Sequence, residues 1–147
     1  MSLIFRKLTV AFILFIVCDV SFAVNFFVDK VVLVTGASGD IGDKIVESFV
    51  KEGAFVIAHC NLNQSKASEL AKKYADKCIV IKSDFSNPLN AADLWKRSLS
   101  WKKRIDFLIN NAGILEFTSH RDNDEKWCKT WTNTLNVNLI APSLLCK

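Results

Sequence analysis

Eight residues, Thr35-Gly36-Ala37-Ser38-Gly39-Asp40-Ile41-Gly42, have the types and spacing to hold an anion. They follow the apolar run Val31-Val32-Leu33-Val34 and precede a helical pattern. A strand that turns through glycines into a helix presents N–H groups with no partner inside the helix. The helix dipole adds partial positive charge at the same place. Glycines let such a turn reach positive φ and bring its backbone close to a phosphate. The chemistry suits a pyrophosphate. A nucleoside-triphosphatase loop does not fit, because five residues separate Gly36 from Gly42 and Asp43, not lysine, follows.

The elements that must position this loop alternate along the chain. Short apolar or β-branched runs predict strands at Val31–Thr35, Ala54–Ala58, Cys78–Ile81 and Ile105–Ile109. Between them, Ile41, Ile45, Val46, Phe49 and Val50 recur at helical spacing over Ile41–Glu52, and Gly53 stops that helix. Ser65–Tyr74 predicts a second helix with Ala67, Leu70 and Ala71 inward. Pro88 to Trp101 predicts a third, opened by Ser86-Asn87-Pro88, and Glu125 to about Leu145 a long fourth. Strands separated by amphipathic helices predict an α/β fold, a doubly wound parallel sheet covered on both faces. Ligands of such folds sit outside the carboxyl ends of the strands. Cys60-Asn61, Asp84 and Asn110–Gly113 fall at those ends with the glycine loop. There is no internal repeat and no sign of a second domain.

The 147 residues, half of them apolar, suffice for one modest domain with a core. A net charge of +4, with cations scattered among acids, argues against a nucleic-acid surface. Lys102-Lys103-Arg104 reads as a solvated helix C-terminus. Cys18, Cys60, Cys78, Cys128 and Cys146 form no C-x-x-C pair and no metal-ligand spacing, so they read as structural thiols and no metal site is expected. His59 and His120 have no ligand partner at metal spacing either, and read as structural.

Met1 to Ala23 has the layout of a targeting segment. Arg6 and Lys7 precede the apolar stretch Leu8 to Cys18, and Ser21-Phe22-Ala23 offers small residues for cleavage. A cleavable signal is favoured over a signal anchor, because the apolar run is short for a span and Asp19 interrupts it. Either form places the chain in the secretory pathway, secreted or at the endoplasmic reticulum lumen or membrane. If the segment is not a functional signal, the chain is cytoplasmic. The folded unit expected is 24–147.

Thr35–Gly42, Asp84, Asn110-Asn111-Ala112-Gly113 and Asn136-Val137-Asn138-Leu139, in that order, closely resemble the short-chain dehydrogenase/reductase family, in particular its classical branch. The resemblance covers about residues 29 to 147 and implies a Rossmann-like fold that binds NAD or NADP. It implies that Gly36, Gly39 and Gly42 shape the pyrophosphate turn, with Ser38 offering a hydroxyl and Ile41 lying toward the nicotinamide. Asp84 would accept from the adenine amino group with Phe85 beside it. Asn111, Ala112 and Gly113 would line the ribose, and the backbone of Asn138 would hold a water in a proton relay. Cys60 stands where an acid would select NAD, with Asn61 next and Lys66 a more distant cation, so NADP is preferred over NAD.

Two departures stand out. Asp40 occupies the middle-glycine position of the classical pattern, and it is expected to cap the helix or turn to solvent. The family's chemistry also needs a Tyr-x-x-x-Lys helix, whose tyrosine passes a proton to or from a carbonyl or alcohol oxygen while hydride moves. Tyr74, the only tyrosine, has lysine at i+3 and lies on another helix. The expectation is a cofactor-binding portion truncated on its C-terminal side and inactive by itself. A small carbonyl or alcohol substrate, and a homo-oligomeric state, would belong to a fuller parent. The rival readings are a non-catalytic dinucleotide-binding or interaction module, and a gene remnant.

Overall fold

The computed structural model describes residues 26–61 and 63–147. The segment read as a signal, Met1–Ala23, lies outside the described residues. Four parallel strands, β1 (Val31–Val34), β2 (Phe55–Cys60), β3 (Cys78–Lys82) and β4 (Phe107–Ile109), form one sheet in the order β3-β2-β1-β4. Val32 aligns with Val56 on one side and with Phe107 on the other. The chain thus moves outward from β1 to β3, then returns across β1 to place β4. The strand order reverses between β1 and β4, and a crevice opens there at the carboxyl ends.

Alternation along the strands builds two cores. Val31 and Leu33 of β1 face one way with Ile57 and Ile81, and Val32 and Val34 face the other way with Val56 and Ala58. Helices α1 (Asp40–Lys51) and α2 (Gln64–Lys73) cover the second face through Val46 and Leu70. The first face is covered by α3 (Asn90–Lys102) through Ala91 and Leu94, and by the chain's last helical turns through Val137, Ala141 and Leu145. The inner strand β1 is buried on both sides, and none of its residues is more than 1% exposed. Helices therefore cover both faces of a parallel sheet, the doubly wound architecture expected from the alternating pattern.

The boundaries move in informative ways. The strand expected over Ala54–Ala58 continues to Cys60, which carries His59 and Cys60 into the sheet. Asn87 does not cap α3 as expected: its Oδ1 accepts from Leu89 N at 3.2 Å in the turn before the helix, which starts at Asn90 with Leu89 at its cap. The expected long fourth helix is three pieces: α4 (Asp124–Leu135), a π-helical turn over Asn136–Ile140, and α5 (Ala141–Leu145). Within that turn, Asn136 Nδ2 donates to Ser86 O and the Asn138 side chain pairs with Ile114. The extra residue of a π turn lets those two asparagines leave the helix face while Val137 and Ala141 stay on the core. No residue of α4 is buried, and Trp127 and Trp131 lie together on its exposed surface with ring centroids 6.2 Å apart.

At the opposite end of the sheet an aromatic cluster seats the start of the described chain. Phe27 meets Phe49 edge-on at 5.0 Å and Phe107 at 5.4 Å, while Phe26 meets Phe107 at 5.9 Å. Cys60 and Cys78 are buried free thiols, and burial pushes the Cys78 thiol up to about 12.

Ile57 sits at the centre of the first core, on an inner strand, with no exposed surface. Truncation there leaves a cavity that surrounding strands cannot collapse into. Ile57→Ala is expected to cost about 2–5 kcal/mol in urea unfolding, with an unchanged denaturant slope.

Candidate functional site

Thr35, just past β1, ties the two loops that flank the crevice. Its hydroxyl donates to Ile109 O at 3.3 Å and accepts from Asn111 N and Ala112 N, each at 3.0 Å. That uses the one proton and both lone pairs a hydroxyl has. The Asn111 side chain reaches back, its Nδ2 donating to Thr35 O at 2.9 Å and Gly36 O at 3.2 Å. The glycine loop after β1 and the Asn-Asn-Ala-Gly loop after β4 are thus one hydrogen-bonded unit.

The loop's shape depends on two glycines. Gly36 has φ +66°, and a Cβ there would come within 2.8 Å of Ala112 Cα. At Gly42 a Cβ would lie 2.2 Å from Gly36 O, far inside contact distance, so the first turn of α1 rests directly on the loop. The first backbone bond into the helix runs from Asp43 N to Gly39 O at 2.9 Å. The amides of Asp40, Ile41 and Gly42 come before it and have no helical carbonyl behind them.

These elements enclose one side of a cavity of about 640 Å³. Gly36 and the run Ser38–Gly42 form its floor, Asn111–Gly113 one wall, and Asn61 with Phe85 the other. Eleven of the fourteen residues expected at the site therefore converge on one space. His59, Asn63, Ile114 and Val137 line it as well. The volume falls in the range of cofactor and small-molecule sites.

Three expected residues, Cys60, Asp84 and Asn138, do not line the cavity. Cys60 follows strand parity onto the opposite face from His59, is 3% exposed, and has a thiol pushed up by burial. Asp84 spends its carboxylate on the neighbouring framework. Its Oδ1 accepts from Asn61 Nδ2 at 3.2 Å and Ser86 N at 2.9 Å. Asn138 works through its side chain: Oδ1 accepts from Ile114 N at 2.9 Å and Nδ2 donates to Ile114 O at 2.8 Å. This pairing, like one rung of a sheet, fixes the chain after Gly113 against the π turn.

Asp40 does not cap α1. The cap position falls one residue earlier, at Gly39, and Asp40 opens the helix with its carboxylate turned outward. Its Oδ1 lies 2.7 Å from Lys66 Nζ, and the ammonium holds the carboxyl below the usual carboxylate range. Lys66, in the first turn of α2, lines a separate depression with Ala37, Ser38 and Asp43, while Asn63 lines the cavity itself. Asn63 in turn caps α2, accepting from Lys66 N at 3.3 Å.

His59, expected only as a structural residue, stands in the cavity wall. It is 3% exposed; Nδ1 accepts from Gly36 N at 3.3 Å and Nε2 pairs with Ser83 O at 3.0 Å. Its ring stacks on Phe85 with centroids 4.3 Å apart. The visible signal was a polar aromatic ring in the last apolar positions of a strand that exits beside the glycine loop. Tyr74 lies at the other end of the sheet, where its carbonyl accepts from Cys78 N at the start of β3.

The short chain dehydrogenase family model matches residues 30–147. A short chain dehydrogenase/reductase of Macrophomina phaseolina is 30% identical over 123 residues, covering 80% of this chain and 68% of that protein. A solved short-chain dehydrogenase/reductase of Serratia marcescens superposes with a TM-score of 0.70 at 25% identity, over 82% of this chain and 51% of that one. An alternative dihydrofolate reductase of Brucella canis, solved in complex with NADP, gives 0.72 at 26% identity, over 83% and 48%. The chain spans about half the length of these solved structures.

The two loop glycines at positions 39 and 42 should respond differently to the smallest substitution. A Cβ on Gly39 meets only Gly36 O, at 3.4 Å. Gly39→Ala should change stability by no more than about 1 kcal/mol, the range of a cap replacement. Gly42→Ala must displace the Gly36 peptide and should cost about 1–3 kcal/mol. Thermal unfolding of the two variants side by side checks the contrast.

Proposed function

This chain belongs to the short chain dehydrogenase family, and from that membership we propose that it holds an NAD(P) dinucleotide across the crevice between β1 and β4. The observation that carries the proposal is the cavity whose floor is the Gly36–Gly42 loop, resting on α1 so closely that no side chain fits at Gly42. The residues present fit the group: the unpaired amides of Asp40, Ile41 and Gly42 would take the diphosphate, and Ser38 could add a hydroxyl. Asn61 and Phe85 would flank the adenosine, and Ile41, Ile114 and Val137 would give the other end an apolar wall. The dinucleotide supplies hydride chemistry when bound.

NADP is the proposed preference. The last positions of β2 contribute no acid of their own: Cys60 is a buried neutral thiol, and Asn61 is uncharged with the neighbouring Asp84 carboxylate bound to its Nδ2. Lys66 adds an ammonium held by Asp40, a residue that lines the cavity. A 2′-phosphate would find the Lys66 ammonium within reach and meet no acid at positions 60 and 61. Lys66→Gln, which keeps a donor for Asp40, should weaken NADP binding about tenfold and change NAD binding less than about threefold in calorimetry. Equal losses for both cofactors would remove Lys66 from the phosphate site.

For the whole protein the proposed activity is hydride transfer between NAD(P) and a carbonyl or alcohol. Tyr74, the only tyrosine of these 147 residues, lies at the far end of the sheet from the cavity. This chain by itself is therefore expected to bind dinucleotide without turning over ketones. Following NADPH absorbance with a panel of ketones checks this, and sustained consumption would refute it.

A further inference from the structure

We propose that His59 is a positioning residue of the dinucleotide site: its uncharged ring, as the Nε2–H tautomer, clamps the glycine loop to the exits of β2 and β3. The proposal rests on the nucleotide-binding reading above and adds to it the device that holds the loop in binding shape.

The tautomer follows from the partners. Gly36 N is a donor, so the ring nitrogen it meets, Nδ1, must carry a lone pair. The proton then sits on Nε2, which faces Ser83 O, an acceptor. Both nitrogens are used, and one ring joins the exits of three neighbouring strands. The His59 carbonyl adds a further tie, accepting from Ala37 N at 2.8 Å. The flat stack on Phe85, with 18° between the planes, prevents the ring from turning out of either bond. Gly36 is consequently gripped on both sides of its residue: His59 takes its N–H, and Asn111 Nδ2 and Gly39 N take its carbonyl.

A second proton would have to go on Nδ1, pointing at the Gly36 N–H, so that two donors face each other. The surroundings already oppose it. Burial holds the ring below the ordinary histidine value, and Arg97 on α3 adds repulsion, partly offset by the bond to Ser83. The other charged groups near this end are engaged elsewhere: Asp84 with Asn61 and Ser86, and Asp40 with Lys66. Lys82 carries its cation on the exposed end of β3. Because the folded-state pKa is depressed, the clamp's support is complete above the ordinary value of about 6.5 and is lost as pH falls through the lower folded value. Dinucleotide affinity should fall with it.

Two measurements on the full chain test this. Nitrogen–proton correlation of the histidine rings should show His59 as the Nε2–H tautomer, titrating below the ordinary range; an Nδ1–H tautomer would overturn the proposal whatever the protein binds. Calorimetry with NAD⁺, whose diphosphate does not titrate near neutral pH, should show affinity falling by up to about tenfold per pH unit once the ring protonates. His59→Phe keeps a stacking ring but offers Gly36 no acceptor, and should bind NAD⁺ about tenfold more weakly at every pH. His59→Gln can restore one of the two bonds without a titrating ring, and should recover part of the affinity with a flat profile. A pH step that survives in His59→Gln, or wild-type affinity in His59→Phe, would overturn the positioning role. If the wild-type chain binds neither NAD⁺ nor NADP⁺ at any pH, the nucleotide reading fails and the positioning role with it, whereas the tautomer result stands by itself.

Discussion

The peptide groups on either side of Gly36 hold the glycine loop to the exits of the neighbouring strands. The N–H is taken by His59, the carbonyl is taken by Asn111 and Gly39, and the same carbonyl oxygen forms the surface on which Gly42 and the first turn of α1 rest. A positive φ at Gly36 is what lets all of these meet at once. If this one unit shifted, the exits of β1, β2, β3 and β4 would lose their common reference. The cavity is therefore a property of the sheet as a whole, even though its floor is a loop.

Behind that unit the sheet provides rigidity on both faces. The alternation Val31, Leu33 against Val32, Val34 gives each face its own core, and the strands bearing the loops cannot slide without exposing one core or the other. The Thr35 hydroxyl converts that rigidity into position, since its three bonds tie Ile109, Asn111 and Ala112 to the end of β1. Asn138 extends the same logic one step outward by pairing with both backbone groups of Ile114.

What was legible in the sequence depended on local rules. The order of strands and helices followed from periodicity, and the anion loop from glycines between an apolar run and a helix, because both signals are written in neighbouring residues. The π turn was hidden because its cause is distant: Asn136 bonds Ser86, fifty residues away, and Asn138 bonds Ile114. His59 was read as structural from its lack of partners, yet its place in the wall depended on Ser83 and Phe85, contributed by the exit of β3. Cys60 and Asp84 were expected among the ligand-facing residues. Strand parity turned the first to the opposite core, and Asn61 and Ser86 engaged the second. Asp40 found an ion-pair partner on α2 that no local capping rule could reveal.

The aromatic cluster of Phe26, Phe27, Phe49 and Phe107 sits at the amino ends of the strands, and the crevice opens at their carboxyl ends. Whatever polypeptide precedes Phe26 thus joins the body at the pole farthest from the crevice. The strands' full length therefore stands between that seat and the crevice.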